Sequence, residues 1–181
     1  MSVTRMLLVV STVLLITSLS YAAQPCTEDD WYCTCSSPII IDVGNAGIQL
    51  TDAINGVVFD IAGTGNPISL AWTALGARSA FLVLDRNGNG TVDDGKELFG
   101  NYTAQPDCED PNGFLALAEF DKIVNGGNSD GVIDNRDSAY SSLQLWIDAN
   151  HNAVSEREEL FTLPALGVQS ISLDYKESFR R

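Results

Sequence analysis

Asp85, Asn87 and Asn89 place side-chain oxygens at alternate positions, and Gly90 follows at once. Oxygens at every second residue, closed by a glycine that lets the backbone turn sharply, suit a small hard cation. Calcium takes six to eight oxygens. Carboxylates and amides at this spacing, a main-chain carbonyl and a late acid can supply them from one short loop. The same spacing returns at Asp148, Asn150 and Asn152, and in stretched form around Asp130. Bound calcium, not a catalytic group, is therefore the expected chemistry of this chain.

Three segments can be set against the register of a twelve-residue EF-hand-type loop. In the first, Asp85, Asn87 and Asn89 fill positions 1, 3 and 5, Gly90 fills 6 and Thr91 offers its carbonyl at 7. Val92 is apolar at 8 and Asp93 stands at 9, but position 12 is Lys96 and the acid comes one residue later, at Glu97. In the second, Asn128, Asp130, Gly131, Val132, Ile133, Asp134 and Asp137 fit positions 3, 5, 6, 7, 8, 9 and 12. Position 1 falls on Gly126, so Asp121 serves there only if residues 122–126 bulge out. The third runs from Asp148 to Glu159 with the correct length: Asp148, Asn150 and Asn152 at 1, 3 and 5, Val154 at 7, Glu159 at 12. Ala153 replaces its glycine where positive φ is expected, and Ser155 at position 8 is not apolar, so this site reads as weakened. Asp42 to Gly47 and Asp60 to Gly65 keep only the first acid and last glycine, and read as turns.

The elements that must carry these loops follow from periodicity. Short strands are expected at 38–41, 56–61 and 68–73, and the run Ala80 to Leu84 is a strong strand leading straight into Asp85. Lys96 to Gly100 reads as a helical turn closed by glycine. Asn112 caps a helix from Gly113 to about Asp121, with Phe114, Leu117 and Ala118 on one face. Arg136 to Ser142 reads as another short helix, and Leu143 to Ile147 alternates like a strand. Ser155 and Glu158 have the spacing of a capping box, Thr162 to Gly167 suits a last helical turn, and Val168 to Tyr175 closes the domain as a strand. The expected fold is a small single α+β domain: a strand-rich first half, then EF-hand-like calcium loops joined by short helices.

Residues 1–22 read as a secretory signal peptide, with Arg5 before an apolar run and small residues Ser20 and Ala22 at the cleavage point. Residues 23–37 form a cysteine-bearing tail, 38–175 the calcium-binding domain and 176–181 a C-terminal tail. The protein is expected outside the cytoplasm, secreted or periplasmic. Cys26, Cys33, Cys35 and Cys108 make an even count, which in a secreted chain suggests two disulfides. A zinc site is the weaker reading, since the spacing is poor and the sole histidine is distant. The net charge of −14 argues against nucleic acid or an anionic membrane as partners, and suits a binder of cations.

Several motifs, in order, carry a family resemblance: Phe81 to Gly90, Glu97-Leu98-Phe99-Gly100, Gly113-Phe114 with Leu117 to Asp121, and Leu145 to Asn150. Together they resemble the EF-hand-like calcium-binding module of large secreted RTX-type bacterial proteins, including iron-regulated, self-processing ones. The resemblance spans roughly Pro38 to Tyr175 and implies Glu97 as a ligand of the first loop. It also marks two departures: the loops at Asp42 and Asp60, which in that family carry D-x-D-G-D-G, are degraded, and the third loop has lost its glycine at Ala153. Some such proteins cut themselves at an Asp-Pro bond. The Asp-Pro of this chain, Asp110-Pro111, lies inside the module and not at its leading edge, and so reads as a turn before a helix.

Other chemistry has little support in the sequence. His151 sits inside a loop at position 4, where side chains usually face solvent, and is poorly placed as a general base. No acid pair is left over for glycoside hydrolysis. Trp31, Trp72 and Trp146 read as packing residues, and Asn101-Tyr102-Thr103 is a glycosylation sequon. The chain is therefore expected to be a non-enzymatic calcium binder, with a calcium-stiffened surface for a cell-surface protein or glycan as the competing role.

Overall fold

The computed structural model describes residues 38–176. The expected signal peptide, the expected cysteine tail and residues 177–181 lie outside the described residues. The central element is β4 (Ser79–Val83), in which every residue is buried. It is flanked on one side by β1 (Ile40–Asp42), and on the other by β6 (Gln144–Trp146) and β7 (Leu160–Thr162). All three pairings are antiparallel, and the register aligns Ile40, Phe81, Trp146 and Leu160 in one row across the sheet. Side chains alternate across a strand, so successive residues of β4 face opposite sides. Ala80 and Leu82 enter one core with Leu145, Phe99 and Leu117. Phe81 and Val83 enter the other with Phe59, Trp72, Trp146 and Leu98. A strand covered on both faces reads as a continuous apolar run, which is why residues 80–84 gave so strong a signal.

Each face has its own cover. The first lies under α1 (Gly113–Ala118), whose Asn112 Oδ1 accepts from Phe114 N and Leu115 N, both at 3.0 Å. The inward residues of α1 are Gly113, Ala116 and Leu117, with Phe114 only partly buried. Gly113 must be glycine, because a Cβ there would collide with the Phe99 carbonyl. The second face is covered by the hairpin of β2 (Val57–Phe59) and β3 (Ile68–Leu70), extended by a bridge between Leu50 and Thr73. Val57 and Phe59 point inward while Val58 is exposed, the alternation of a half-buried strand. A second small sheet pairs β5 (Val132–Ile133) with β8 (Ile171–Ser172). The described chain is thus a small α+β domain of short strands with one α-helix.

Several local expectations are overturned by tertiary contacts. Lys96 to Gly100 is not a helical turn: Leu98 forms a bridge with Val83, and Leu84 N donates to Glu97 O at 2.9 Å. The buried row of β4 outcompetes the local helical preference. Arg136 to Ser142 forms successive turns and no helix: Tyr140 N donates to the Asp137 carbonyl and Ser142 N to the Ala139 carbonyl, while Arg136 N is held by Asp134 Oδ1 and Ser138 N by the Gly126 carbonyl. Ser155 caps no helix. The one-turn 3₁₀ segment Arg157–Glu159 starts from Glu156 without a side-chain cap, and the Ser155 hydroxyl is buried. The helix expected to Asp121 tightens into a 3₁₀ turn at Glu119–Asp121, and the final strand shortens to Ile171–Ser172 because its partner has only two residues.

The aspartates that open the degraded loops still shape backbone. Asp42 Oδ2 accepts from Gly47 N at 2.6 Å, and Asp60 Oδ2 from Gly65 N at 2.6 Å. The Gly47 N–H, followed by those of Gly44 and Ala46, holds the Asp42 carboxyl below its usual value. A depressed carboxyl contributes stability above the unfolded-state value and loses it as pH falls through the folded one. An Asp42→Ala variant is therefore expected to melt below the parent at pH 7, with the gap narrowing at pH 2. An equal gap at both pH values would contradict this.

Candidate functional site

The three candidate loops share one construction. Each opens on an aspartate whose carboxylate gathers the backbone of the turn that follows. Asp85 Oδ1 accepts from Gly88 N at 2.7 Å and Asn89 N at 3.2 Å, and its Oδ2 accepts from Gly90 N at 2.8 Å. Asp148 Oδ1 accepts from Asn152 N at 3.0 Å and Oδ2 from Ala153 N at 2.9 Å. Asp121 Oδ1 accepts from Asp130 N at 3.2 Å and Oδ2 from Gly131 N at 2.9 Å. Asp121 thus takes the same station as Asp85 and Asp148, while residues 122–126 make a separate turn closed by Gly126 with φ +88°. The residue bound by Oδ2 has positive φ in each loop: Gly90 +87°, Gly131 +82° and Ala153 +56°. Ala153 therefore carries the left-handed strain expected of it, and its methyl is buried in the second core.

The closing acids are buried and fold back over the loop start. Glu97 Oε1 accepts from Arg86 N at 2.9 Å and Asn87 N at 3.4 Å, and Oε2 accepts from Asp93 N at 2.9 Å. Glu159 Oε1 accepts from Ala149 N at 2.8 Å and Asn150 N at 3.4 Å. These are the same two stations of the loop, so Glu97 and Glu159 are structural counterparts although Glu97 comes one residue later. Lys96 turns away and donates to the Gly63 carbonyl. In the second loop Asp137 Oδ1 accepts from Asn128 N at 3.2 Å and Oδ2 from Asp134 N at 2.8 Å. Glu97, Asp137 and Glu159 are 3%, 3% and 6% exposed, and carboxylates are so deeply buried only where hydrogen bonds or cations compensate.

Between these ends lie the amides. Asn87 Nδ2 and Asn89 Nδ2 donate to Asp93 Oδ2 at 2.9 and 2.6 Å, and Thr91 Oγ1 donates to Asp93 Oδ1 at 3.0 Å. The Asn87 and Asn89 amides, in that order, hold the Asp93 carboxyl below its usual value. Asn150 Nδ2 and Asn152 Nδ2 donate to Glu156 Oε1 at 3.3 and 2.8 Å. Glu156 stands at position 9 of the third loop, as Asp93 does in the first. Sequence reading assigned its segment to a capping box and missed it, although counting from Asp148 would have found it. In the second loop Asn128 Nδ2 donates to Asp130 Oδ2 at 3.1 Å, and Val132 lies in β5. The Val154 carbonyl accepts from Glu156 N at 3.0 Å.

Loops one and three meet through their eighth positions: Val92 N donates to Ser155 Oγ at 2.6 Å. That contact explains why a serine is tolerated where an apolar residue was expected. The third loop is also clamped to the hairpin. Trp72 Nε1 donates to Asp148 Oδ2 at 2.7 Å, and the His151 ring nitrogens lie 2.9 Å from the Thr73 carbonyl and 3.1 Å from that of Asn55. His151 thus faces the hairpin and not open solvent.

Among the described residues no three His, Cys, Asp or Glu side chains gather as a ready-made metal cluster. The donor sets instead mix carboxylates with amide oxygens and carbonyls, a chemistry suited to hard cations and not to zinc. One orphaned atom bears on the fit. Glu156 Oε2 is buried and has no hydrogen-bond partner. Burial first, then the neighbouring Glu156, pushes the Glu159 carboxyl up, while the Asn152 amide and then Glu159 draw Glu156 down. Two acids thus oppose each other's charge at this loop, where a divalent cation would supply the balancing charge. Glu156→Gln is accordingly expected to raise the melting temperature in chelator and to weaken calcium binding at this loop by roughly tenfold. Paired melts with and without calcium check both signs.

Cys108 is exposed and is the only cysteine among the described residues, with no disulfide there; Cys26, Cys33 and Cys35 lie outside them. No helix of the described residues is long and apolar enough to cross a membrane.

Residues 39–180 match the SPM domain. The chain is similar to iron-regulated protein FrpA of Neisseria meningitidis serogroup C, 37% identical over 143 residues. That alignment covers 77% of this chain but only 12% of the relative, so the chain spans a small part of that protein's length. With the match running from β1 to beyond β8, the protein belongs to the SPM domain family.

Proposed function

We propose that the protein is a secreted calcium-binding domain, without enzymatic activity, whose fold calcium stabilises. The observation that carries the reading is Glu156 Oε2, a buried carboxylate oxygen without a hydrogen-bond partner in the loop that Glu159 closes. The repeated Asp-anchored loops with buried closing acids support it. The residues that would hold calcium are Asp85, Asn87, Asn89, Thr91, Asp93 and Glu97; Asp121, Asn128, Asp130, Val132 and Asp137; and Asp148, Asn150, Asn152, Val154 and Glu159, with Glu156 added. Bound calcium would supply positive charge among carboxylates that otherwise repel one another. Calorimetric titration is the test. Saturable heat from two or three sites in the range of about 10⁻⁴ to 10⁻³ M is expected. No heat, together with no spectral change, would exclude the reading.

A second reading is a calcium-stiffened interaction module for a cell-surface protein or glycan. It is favoured by the exposed Ile48, Leu50, Ile54, Val58, Ile68 and Leu75, all on or beside the β2–β3 hairpin. Capture of an envelope component by the parent but not by an Ile54→Ser, Val58→Ser variant would support it. Self-cleavage is the third. Asp110 and Pro111 are exposed in the loop before α1, with the Asp110 carbonyl accepting from Asn112 Nδ2 at 3.3 Å. New fragments on a gel after calcium addition are its requirement.

A further inference from the structure

The second loop differs from the other two in what bridges its fifth and ninth positions. In the first and third loops asparagine amides make the link to Asp93 and Glu156. In the second loop a guanidinium makes it. Arg136 Nη2 lies 2.5 Å from Asp130 Oδ2 and 2.7 Å from Asp134 Oδ2, and Arg136 Nε donates to Asp134 Oδ1 at 3.0 Å. The difference is chemical. A carboxamide is donor and acceptor at once, and a half-turn of its terminal torsion presents oxygen to a cation. A guanidinium only donates and is permanently charged, so it must leave before those two carboxylates can face a divalent ion.

The charges agree with this. The first loop places carboxylates at Asp85, Asp93 and Glu97, and the third at Asp148, Glu156 and Glu159. At the corresponding stations the second has one more, Asp121, Asp130, Asp134 and Asp137, and Arg136 pairs with two of them. Calcium affinity in such loops is set largely by ligand charge and rigidity.

We propose that Arg136 is a tethered cation that occupies the second loop and competes with calcium for it, lowering that loop's affinity without affecting the other two. This rests on the calcium reading above. The Arg136 side chain is 57% exposed, so solvent screens its grip and gives it room to swing out. The expected effect is correspondingly moderate: R136Q should tighten calcium at the second loop by roughly fivefold.

Backbone amide NMR during calcium titration reads the loops separately, through Gly90, Gly131 and Ala153. In R136Q the Gly131 midpoint should fall about fivefold while the Gly90 and Ala153 midpoints stay in place. In the parent protein the Arg136 Nε–H signal should move with the Gly131 midpoint, which tests displacement without any substitution. A Gly131 midpoint that is unchanged or higher in R136Q, a common shift of all three amides, or an Arg136 signal that stays still while Gly131 titrates would each overturn the proposal. If no amide responds in either protein, the calcium reading itself fails and takes the proposal with it.

Discussion

Ten millimolar calcium is expected to raise the melting temperature by about 5–10 °C for each loop it fills, and excess EDTA to reverse the gain. The estimate follows from linkage. The buried acids Glu97, Asp137 and Glu159 reach their loops only in the folded chain, so the ion would bind the native state and not the unfolded one. At about a hundred times Kd, one such site adds roughly 2.7 kcal/mol. A domain of this size converts each kcal/mol into roughly 4 °C. Magnesium at the same concentration should do much less, since it requires near-ideal octahedral geometry and gives up its water reluctantly. Melting curves that coincide in calcium and EDTA would remove calcium from the account of this fold.

Trp146→Ala is expected to cost about 3–5 kcal/mol, the largest loss from any single truncation considered. Trp146 is fully buried at the centre of the second core. Its ring centroid lies 5.5 Å from Trp72, 5.8 Å from Phe81 and 6.0 Å from Phe59. Truncation would open a cavity that strands on both sides hold apart, so little collapse is available. The indole has a second role, because Nε1 donates to Glu159 Oε2 at 3.3 Å. Trp146→Phe keeps most of the ring and removes only that donor. It should cost about 1–3 kcal/mol and weaken calcium at the third loop, whereas an effect on packing alone would leave calcium affinity unchanged. Urea unfolding followed through Trp72 fluorescence measures both variants. An alanine variant within about 1 kcal/mol of the parent would show that the aromatic cluster is not the keystone of the second core.

The partner surface and the tethered cation proposed above would act at different loops. The hairpin touches the third loop through Trp72 and His151, so a partner bound to the hairpin would sense the order of that loop. Arg136 contacts Asp130 of the second loop, which adjoins the separate β5–β8 sheet.

Much of the fold was legible where its causes are local. The Asn112 cap bonds residues two and three places on. Each Asp-anchored loop at Asp42, Asp60, Asp85 and Asp148 is closed by a hydrogen bond to the residue five places on, whatever surrounds it. The apolar run at residues 80–84 announced a strand covered on both faces. The errors fell where a local preference met a distant competitor. Ser155 has the spacing of a cap but its hydroxyl is taken by Val92, 63 residues earlier. Residues 136–142 read as a short helix but form separate turns, the first of them pinned where Ser138 N donates to the Gly126 carbonyl twelve residues earlier.

By itself, then, the sequence determined the loops, their order and their oxygen-rich chemistry, because short-range spacing fixes which backbone groups an aspartate can reach. Only the tertiary structure decided how an acid one residue late can close the first loop, that Glu156 joins the third, and what stands against each. Glu97 displaces Lys96 because the bridge from Leu98 to Val83 aims the glutamate inward. Glu156 joins the third loop beside Glu159, and Trp72 reaches Asp148 across 76 residues. Contacts of that range depend on how two cores pack on one sheet, and no local spacing encodes them.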